Sequence, residues 1–255
     1  MNIALFTTYS LPCVARSDFV DNSGFKLTLT SDLRANDAGI LEVGVSVNDH
    51  QVVPPFSEEF LSTGYCPADC MNEGLDHDMH VFANMLHSHL LGSKIRTRVI
   101  RNGQERLQLA QDNNYDFNYQ EARKLPKELT LTKGDSLIVE CVYNSKERTA
   151  ATFGGLTTQE EMCLSFVMYY PRSPLTVCRS VPLYHLPAGQ RHTYSWANSF
   201  DWTKQSERDN FQNLTNTVDV KLQCMGSTHF SSDRKSYHQA DLQPAQRYKA
   251  PSACP

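Results

Sequence analysis

The stretch HVFANMLHSHLLG, residues 80–92, carries two imidazoles one residue apart, His87 and His89. On a β-strand, residues i and i+2 project to the same face, so both rings can converge on one ion without distorting the backbone. The plainer alternative is a pair of surface or hydrogen-bonded histidines, since motifs this short recur by chance. On strand parity Val81, Ala83 and Met85 share the histidine face, and imidazoles rising from an apolar wall need polar partners, which a metal can supply. Downstream, GGLTTQEEMCLSFVMYYPR places Met162 beside Cys163. A methionine on an apolar strand ordinarily fills core. Read as a ligand, its thioether completes a soft, low-charge set with the two imidazoles. Such a set suits copper, which can be held as Cu(I), better than zinc or magnesium. A disulfide from Cys163 would pin the backbone next to that sulfur.

The elements that must position these residues read as β. GFKLTLTS alternates Phe25, Leu27 and Leu29 with polar neighbours, and ILEVGVSV puts Leu41, Val43, Val45 and Val47 on one parity. KIRTRVIRNGQERLQLA is a hairpin, because Asn102-Gly103 tolerates the positive φ that a tight turn between twisted strands requires. ELTLTKGDSLIVECVY holds two strands around Lys133-Gly134-Asp135, and CLSFVMYY is another. Gly154-Gly155 reads as a bend or bulge rather than a phosphate cradle. Short strands with frequent turns predict an all-β, antiparallel sandwich or barrel. From residue 181 the character changes. VPLYHLPAGQRHTYSWANSFDW is irregular and aromatic, TVDVKLQC reads as a last strand ending at Cys224, and the remainder reads as an extended polar tail. The chain thus divides into an atypical segment 1–18, a β-sandwich domain 19–180, and an extension with tail 181–255.

Composition excludes some functions. A net charge of −4 and a pI of about 6.1 leave no basic field for nucleic acid or anionic lipid. No apolar run reaches bilayer-spanning length. The eight cysteines are dispersed, which fits long-range disulfides in an oxidising compartment. A zinc knuckle on CPADC (Cys66, Cys70) is the rival, but it lacks a second close Cys or His pair. Asn213-Leu214-Thr215 is a glycosylation sequon, expected on a surface loop with Asn213 as acceptor. The N-terminus, MNIALFTTYSLPCVARS, matches a secretory leader only in part. It has an apolar middle and a small residue at Ala15, but no positive start, and Pro12 interrupts it.

Taken together, SGFKLTLTSDLRANDAGILEVGV, STGYCPADC, HVFANMLHSHLLG, QDNNYDFNYQEARKL, LTKGDSLIVECVYNS and ATFGGLTTQEEMCLSFVMYYPR resemble the C-terminal catalytic domain of the copper type II, ascorbate-dependent monooxygenases. The pattern is most nearly that of the dopamine β-hydroxylase-like (monooxygenase X) branch. It continues through FDWTKQ and YKAPSAC, covering roughly residues 19 to 254. The resemblance implies a jelly-roll-like β-sandwich with an irregular C-terminal extension. It implies one copper per chain held by His87, His89 and Met162, and hydroxylation of an activated C–H bond using O2, with ascorbate as reductant. It also implies the disulfides Cys66–Cys178, Cys70–Cys224 and Cys141–Cys163, leaving Cys13 and Cys254 over. The implied setting is the secretory pathway or the extracellular space.

The sequence departs from the family in two respects. The family's preceding domain holds a second copper on three histidines, two of them adjacent, and this chain has no His-His pair. His50 and His77 are isolated, and His185, His192, His229 and His238 lie late in the chain. One copper can donate one electron where the reaction needs two. The expectation is therefore only the oxygen-binding catalytic half, served by a polypeptide that supplies the other copper. The alternative is a catalytically idle copper-binding or disulfide-stapled interaction module. The second departure concerns the substrate pocket. Met85 stands where the peptide-amidating branch has a carboxylate-gripping arginine, and Phe166 stands where a tyrosine is usual. Peptidylglycine is thereby excluded, and a small-molecule amine remains open.

Overall fold

The computed structural model describes residues 28–188, 192–226, 231–232 and 236–247. Strands β1 (Gly39–Val45), β2 (Val52–Val53) and β3 (Phe60–Cys66) lead into helix α1 (Ala68–Gly74). There follow β4 (Met79–His87), β5 (Gly92–Arg101), β6 (Gln104–Asp112), β7 (Arg123–Leu131) and β8 (Asp135–Tyr143). Next come β9 (Thr152–Phe153), β10 (Leu164–Tyr170), β11 (Leu175–Pro182), α2 (Thr193–Ala197) and α3 (Gln205–Thr217). The described chain closes with β12 (Val220–Gly226), β13 (Ser231–Ser232), β14 (Ser236–Tyr237) and α4 (Gln239–Leu242).

The strands form a sandwich. One sheet has eight strands, in the order β13-β12-β11-β1-β10-β4-β7 with β14 also on β12. The other has four, β3-β8-β5-β6, and β2 pairs with β9 at the side. Alternation fills the space between the sheets: Leu41, Val43, Val45, Val81, Val167 and Tyr169 face Ile95, Val99, Leu137, Val139 and Cys141, all buried. Each such side chain contributes roughly 1.5–3 kcal/mol by leaving water. At one point the sheets meet backbone to backbone. A Cβ on Gly64 of β3 would lie 2.1 Å from the carbonyl carbon of Gly44 in β1, so only glycine fits there.

The all-β expectation holds. The hairpin forms at β5–β6 with Asn102 at φ 54° and Gly103 at φ 70°. Antiparallel pairing has one exception among the described strand pairs, β1 with β11, which run parallel. No strand forms at residues 28–31, and Leu29 is 81% exposed; residues 24–27 of that stretch lie outside the described residues. Alternation there has no neighbouring strand to pair with. In β8 the apolar run is buried on both faces. Leu137, Val139 and Cys141 point into the sandwich, while Ile138 joins Tyr65, Ile100 and Val220 on the outside, under Tyr237 and Leu242.

The region after residue 181 is more ordered than its composition predicts. Tyr184, Trp196, Phe200, Trp202 and Phe211 stack on one another, and Phe211 packs on Phe60 of β3. Asn213 is exposed, but it sits within α3 rather than on a loop. Thr215 is buried and donates its hydroxyl to the Phe211 carbonyl at 2.9 Å. Residues 236–247, expected as extended tail, cover the outer face of the four-stranded sheet. Gln243 Oε1 accepts from the buried Arg98 at 3.1 Å, and its amide donates to Tyr65 at 2.8 Å. Arg98 also pairs with Glu105 at 3.0 Å and Glu140 at 2.8 Å, so this buried cation is neutralised on site.

Candidate metal centre

Strand pairing of β4 with β10 brings the segments carrying His87 and Met162 together, and the loop after β4 sets His89 beside His87. In the β4–β10 ladder His87 is the partner of Leu164, and Met85 the partner of Phe166. The ladder ends at the His87–Leu164 pair, two residues before His89 on one segment and two after Met162 on the other. His87, Met85 and Phe166 therefore share the outer face of the eight-stranded sheet. The His87 Nε2 lies 3.2 Å from the Met162 sulfur. The rings of His87 and His89 stand edge to face with centroids 5.2 Å apart.

Two sequence expectations about this stretch are corrected. A β-bulge between Val81 and Ala83 shifts the alternation, so Val81 faces the core while Met85 and His87 face outward. The apolar wall is thus formed by Met85 and Phe166, whose ring is 6.1 Å from that of His87. β4 also ends at His87, so His89 sits on the loop beyond it. Its ring converges because the loop is held, not because of strand parity.

Both imidazoles are anchored through Nδ1. Gln120 donates its amide to the Phe117 carbonyl at 2.9 Å, which turns its oxygen toward His87 Nδ1, and the two are hydrogen-bonded. His89 Nδ1 faces the Glu160 carbonyl at 3.0 Å. Amide and peptide oxygens only accept, so both protons reside on Nδ1 and both Nε2 atoms carry lone pairs. Burial pushes the His87 pKa down to about 4; the Gln120 bond opposes the shift and neighbouring His89 reinforces it. The ring is neutral at pH 7, which is the state that binds metal.

Two groups hold the methionine side. Tyr143 donates its hydroxyl to the Met162 carbonyl at 2.7 Å and accepts from Gln51 at 2.6 Å. Cys163 is bonded to Cys141 of β8. Glu161, fully buried, accepts from Ser88 Oγ and the His89 amide, each at 2.9 Å, and from the Leu91 amide at 2.6 Å. Burial raises its pKa, against the pull of those donors. Tyr115 adds a bond to the Ser88 carbonyl at 2.6 Å. Sequence reading missed Gln120, Glu161, Tyr115 and Tyr143. Only Glu161 left a trace there, as a charged residue immediately before a predicted ligand and a buried strand.

The donor set fits copper. An imidazole lone pair and a thioether sulfur face each other at 3.2 Å with no proton assigned between them, and a cation is what such a pair lacks. The expected disulfides Cys66–Cys178 and Cys70–Cys224 also form. The sulfurs of Cys66, Cys70 and Cys178 lie within 4.8 Å of one another, but all three are oxidised, which removes the zinc-knuckle alternative. Cys13 and Cys254 lie outside the described residues. The three disulfides fit an oxidising compartment. Among the described residues no helix is long and apolar enough to cross a membrane.

Comparison with known proteins agrees with this chemistry. The family model "Copper type II ascorbate-dependent monooxygenase, C-terminal domain" matches residues 36–186. DBH-like monooxygenase protein 1 of Homo sapiens is 47% identical over 167 residues, 64% of this chain and 27% of that protein. Dopamine beta-hydroxylase of Canis lupus familiaris is 42% identical over 161 residues, 63% of this chain and 26% of that protein. MOXD1 homolog 2 of Drosophila melanogaster is 41% identical over 164 residues, 64% of this chain and 22% of that protein. The chain spans about a quarter of the length of these relatives. It belongs to the copper type II ascorbate-dependent monooxygenase family.

Proposed function

We propose that this member of the copper type II ascorbate-dependent monooxygenases provides the oxygen-binding catalytic half of a hydroxylase, with one copper on His87, His89 and Met162. The observation that carries the reading is the approach of His87 Nε2 to the Met162 sulfur, with Nδ1 of both imidazoles committed to protein acceptors. When bound, copper supplies the electronics for reductive activation of O2. The chain's own residues supply geometry. Gln120 and the Glu160 carbonyl set the tautomers, and Met85 and Phe166 form an apolar wall beside His87.

The substrate we propose is a small molecule with an activated C–H bond, an amine by analogy with dopamine in the name of one relative. Met85 offers no charge to grip a carboxylate, and Phe166 no hydroxyl to donate. Oxygen insertion consumes two electrons beyond those of the C–H bond, and one copper carries one. The second copper, reduced by ascorbate, is proposed to come from outside these 255 residues. We place the protein in the secretory pathway or outside the cell, where its disulfides persist.

The test is a Cu(I) titration of the oxidised chain beside His87→Ala. One tight copper in the parent and none in the variant supports the site. Equal binding in both removes it. Ascorbate-dependent hydroxylation of a phenylethylamine, on addition of a competent copper domain from a relative, then separates a catalytic half from a copper-binding module without turnover.

A further inference from the structure

Residues 160 and 161 are adjacent glutamates with different fates. The Glu160 carboxylate sits near the surface and accepts from the Thr157 amide at 2.9 Å. Glu161 has no exposed surface at all. A buried carboxylate is ordinarily paired with a cation. The donors on Glu161 are different: Ser88 Oγ, the amides of His89 and Leu91, and, at 3.3 Å, the amide of Met162. Three of these four belong to residues 88–91, the loop that follows β4. That backbone has left the sheet ladder, so its buried N–H groups need other acceptors. One side chain provides them, and the same residue immediately precedes Met162.

We infer that Glu161 is a positioning residue: its carboxylate clamps the loop carrying His89 to the segment carrying Met162, and so sets the spacing of the metal ligands. The inference rests on the ligand reading given above. The clamp works through acceptor capacity rather than through size. Oε2 takes Ser88, His89 and Met162, and Oε1 takes Leu91. A glutamine of the same shape has one oxygen and one NH2 group. Whichever way it turns, the NH2 meets a backbone N–H, either that of Leu91 or that of His89, and neither can accept. A buried donor facing a donor must move apart.

The experiment measures Cu(I) affinity by competition with a chromophoric chelator, and copper–sulfur scattering by X-ray absorption. It uses the oxidised parent, His87→Ala, Glu161→Gln and, as a stability control, Val99→Ala in the core. Glu161→Gln is expected to bind copper 10- to 100-fold more weakly, as loss of an outer hydrogen-bond partner does, and to lose the sulfur signal. Val99→Ala is expected to lower Tm and leave both readouts in place. Parental affinity with the sulfur signal intact in Glu161→Gln overturns the inference alone. A parent with no His87-dependent copper overturns the ligand reading and this inference with it. If Glu161→Gln does not fold, Ser88→Ala carries the test, since it removes one donor and keeps the carboxylate. It is expected to weaken binding several-fold, and unchanged affinity there also overturns the clamp.

Discussion

His87 and Met162 are 75 positions apart in the chain, yet the imidazole Nε2 and the thioether sulfur lie 3.2 Å apart, on the outer face of one sheet. The β4–β10 ladder brings the two segments together, and hydrogen bonds beyond the ladder set the final approach. Each can be removed separately.

Met162→Leu tests the sulfur. The two side chains have similar volume, and such exchanges usually cost less than about 1.5 kcal/mol. The expected result is near-parental urea unfolding with Cu(I) binding weakened more than about tenfold, a loss of over 1.4 kcal/mol at the site. Equal affinity for Cu(I) in the variant would remove Met162 from the ligand set.

Gln120→Ala frees His87 Nδ1 from its acceptor. The ring can then present either nitrogen, and its orientation is lost. A drop of about 10- to 100-fold in copper affinity is expected, with little change in Tm, because Gln120 lies outside the core. Isothermal competition titrations against the parent decide it.

Paired Cys141→Ser and Cys163→Ser substitutions open a crosslink spanning 22 residues. Chain entropy alone predicts a loss of about 3 kcal/mol. Since Cys163 follows Met162, copper affinity should fall in the same variant. Urea denaturation and copper titration on one sample show whether stability and binding move together.

Gly64→Ala probes the contact between the sheets. The added methyl group would meet backbone atoms of Gly44 and Val45 at 2.1–2.5 Å, and neither strand can yield without disturbing its ladder. Overpacking of this kind costs about 1–3 kcal/mol or more. A variant as stable as the parent would show that the sheets can separate freely at this point.

Tyr65 predicts an alkaline limit to stability. Its hydroxyl is pushed up to about 12, chiefly by burial, while the bond from Gln243 pulls the other way. The unfolded residue ionises near 10. The contribution is therefore complete below about pH 10 and is lost as pH rises toward about 12, amounting to roughly 2–3 kcal/mol at most. Urea midpoints taken across that range should fall less steeply in Tyr65→Phe than in the parent.

Features that depend on near neighbours were legible only in part: the tight turn and β8 form as expected, while the alternation at residues 28–31 yields no strand. The turn at Asn102-Gly103 depends on two residues that tolerate positive φ, and β8 on an apolar run with no competing pattern. Residue chemistry also nominated His87, His89 and Met162 as a soft donor set, which is the ligand set proposed above. Helix α3 was legible but missed: Phe211, Leu214, Thr215 and Val218 follow helical spacing, diluted by polar neighbours.

The sequence by itself thus determined most of the strand content, the tight turn and the types of donor atom available, because each depends on a few neighbouring residues. Tertiary structure alone decided which face those donors occupy, through the bulge between Val81 and Ala83. It also decided which nitrogen each histidine presents, through Gln120 and the Glu160 carbonyl, and what holds the loop beyond β4, through Glu161. These partners lie 33 and 71 residues from His87 and His89, and Glu161 lies 72 from His89. Alternation and turn propensity act over neighbours only. A hydrogen bond between distant segments exists only once the sheets have brought them within reach.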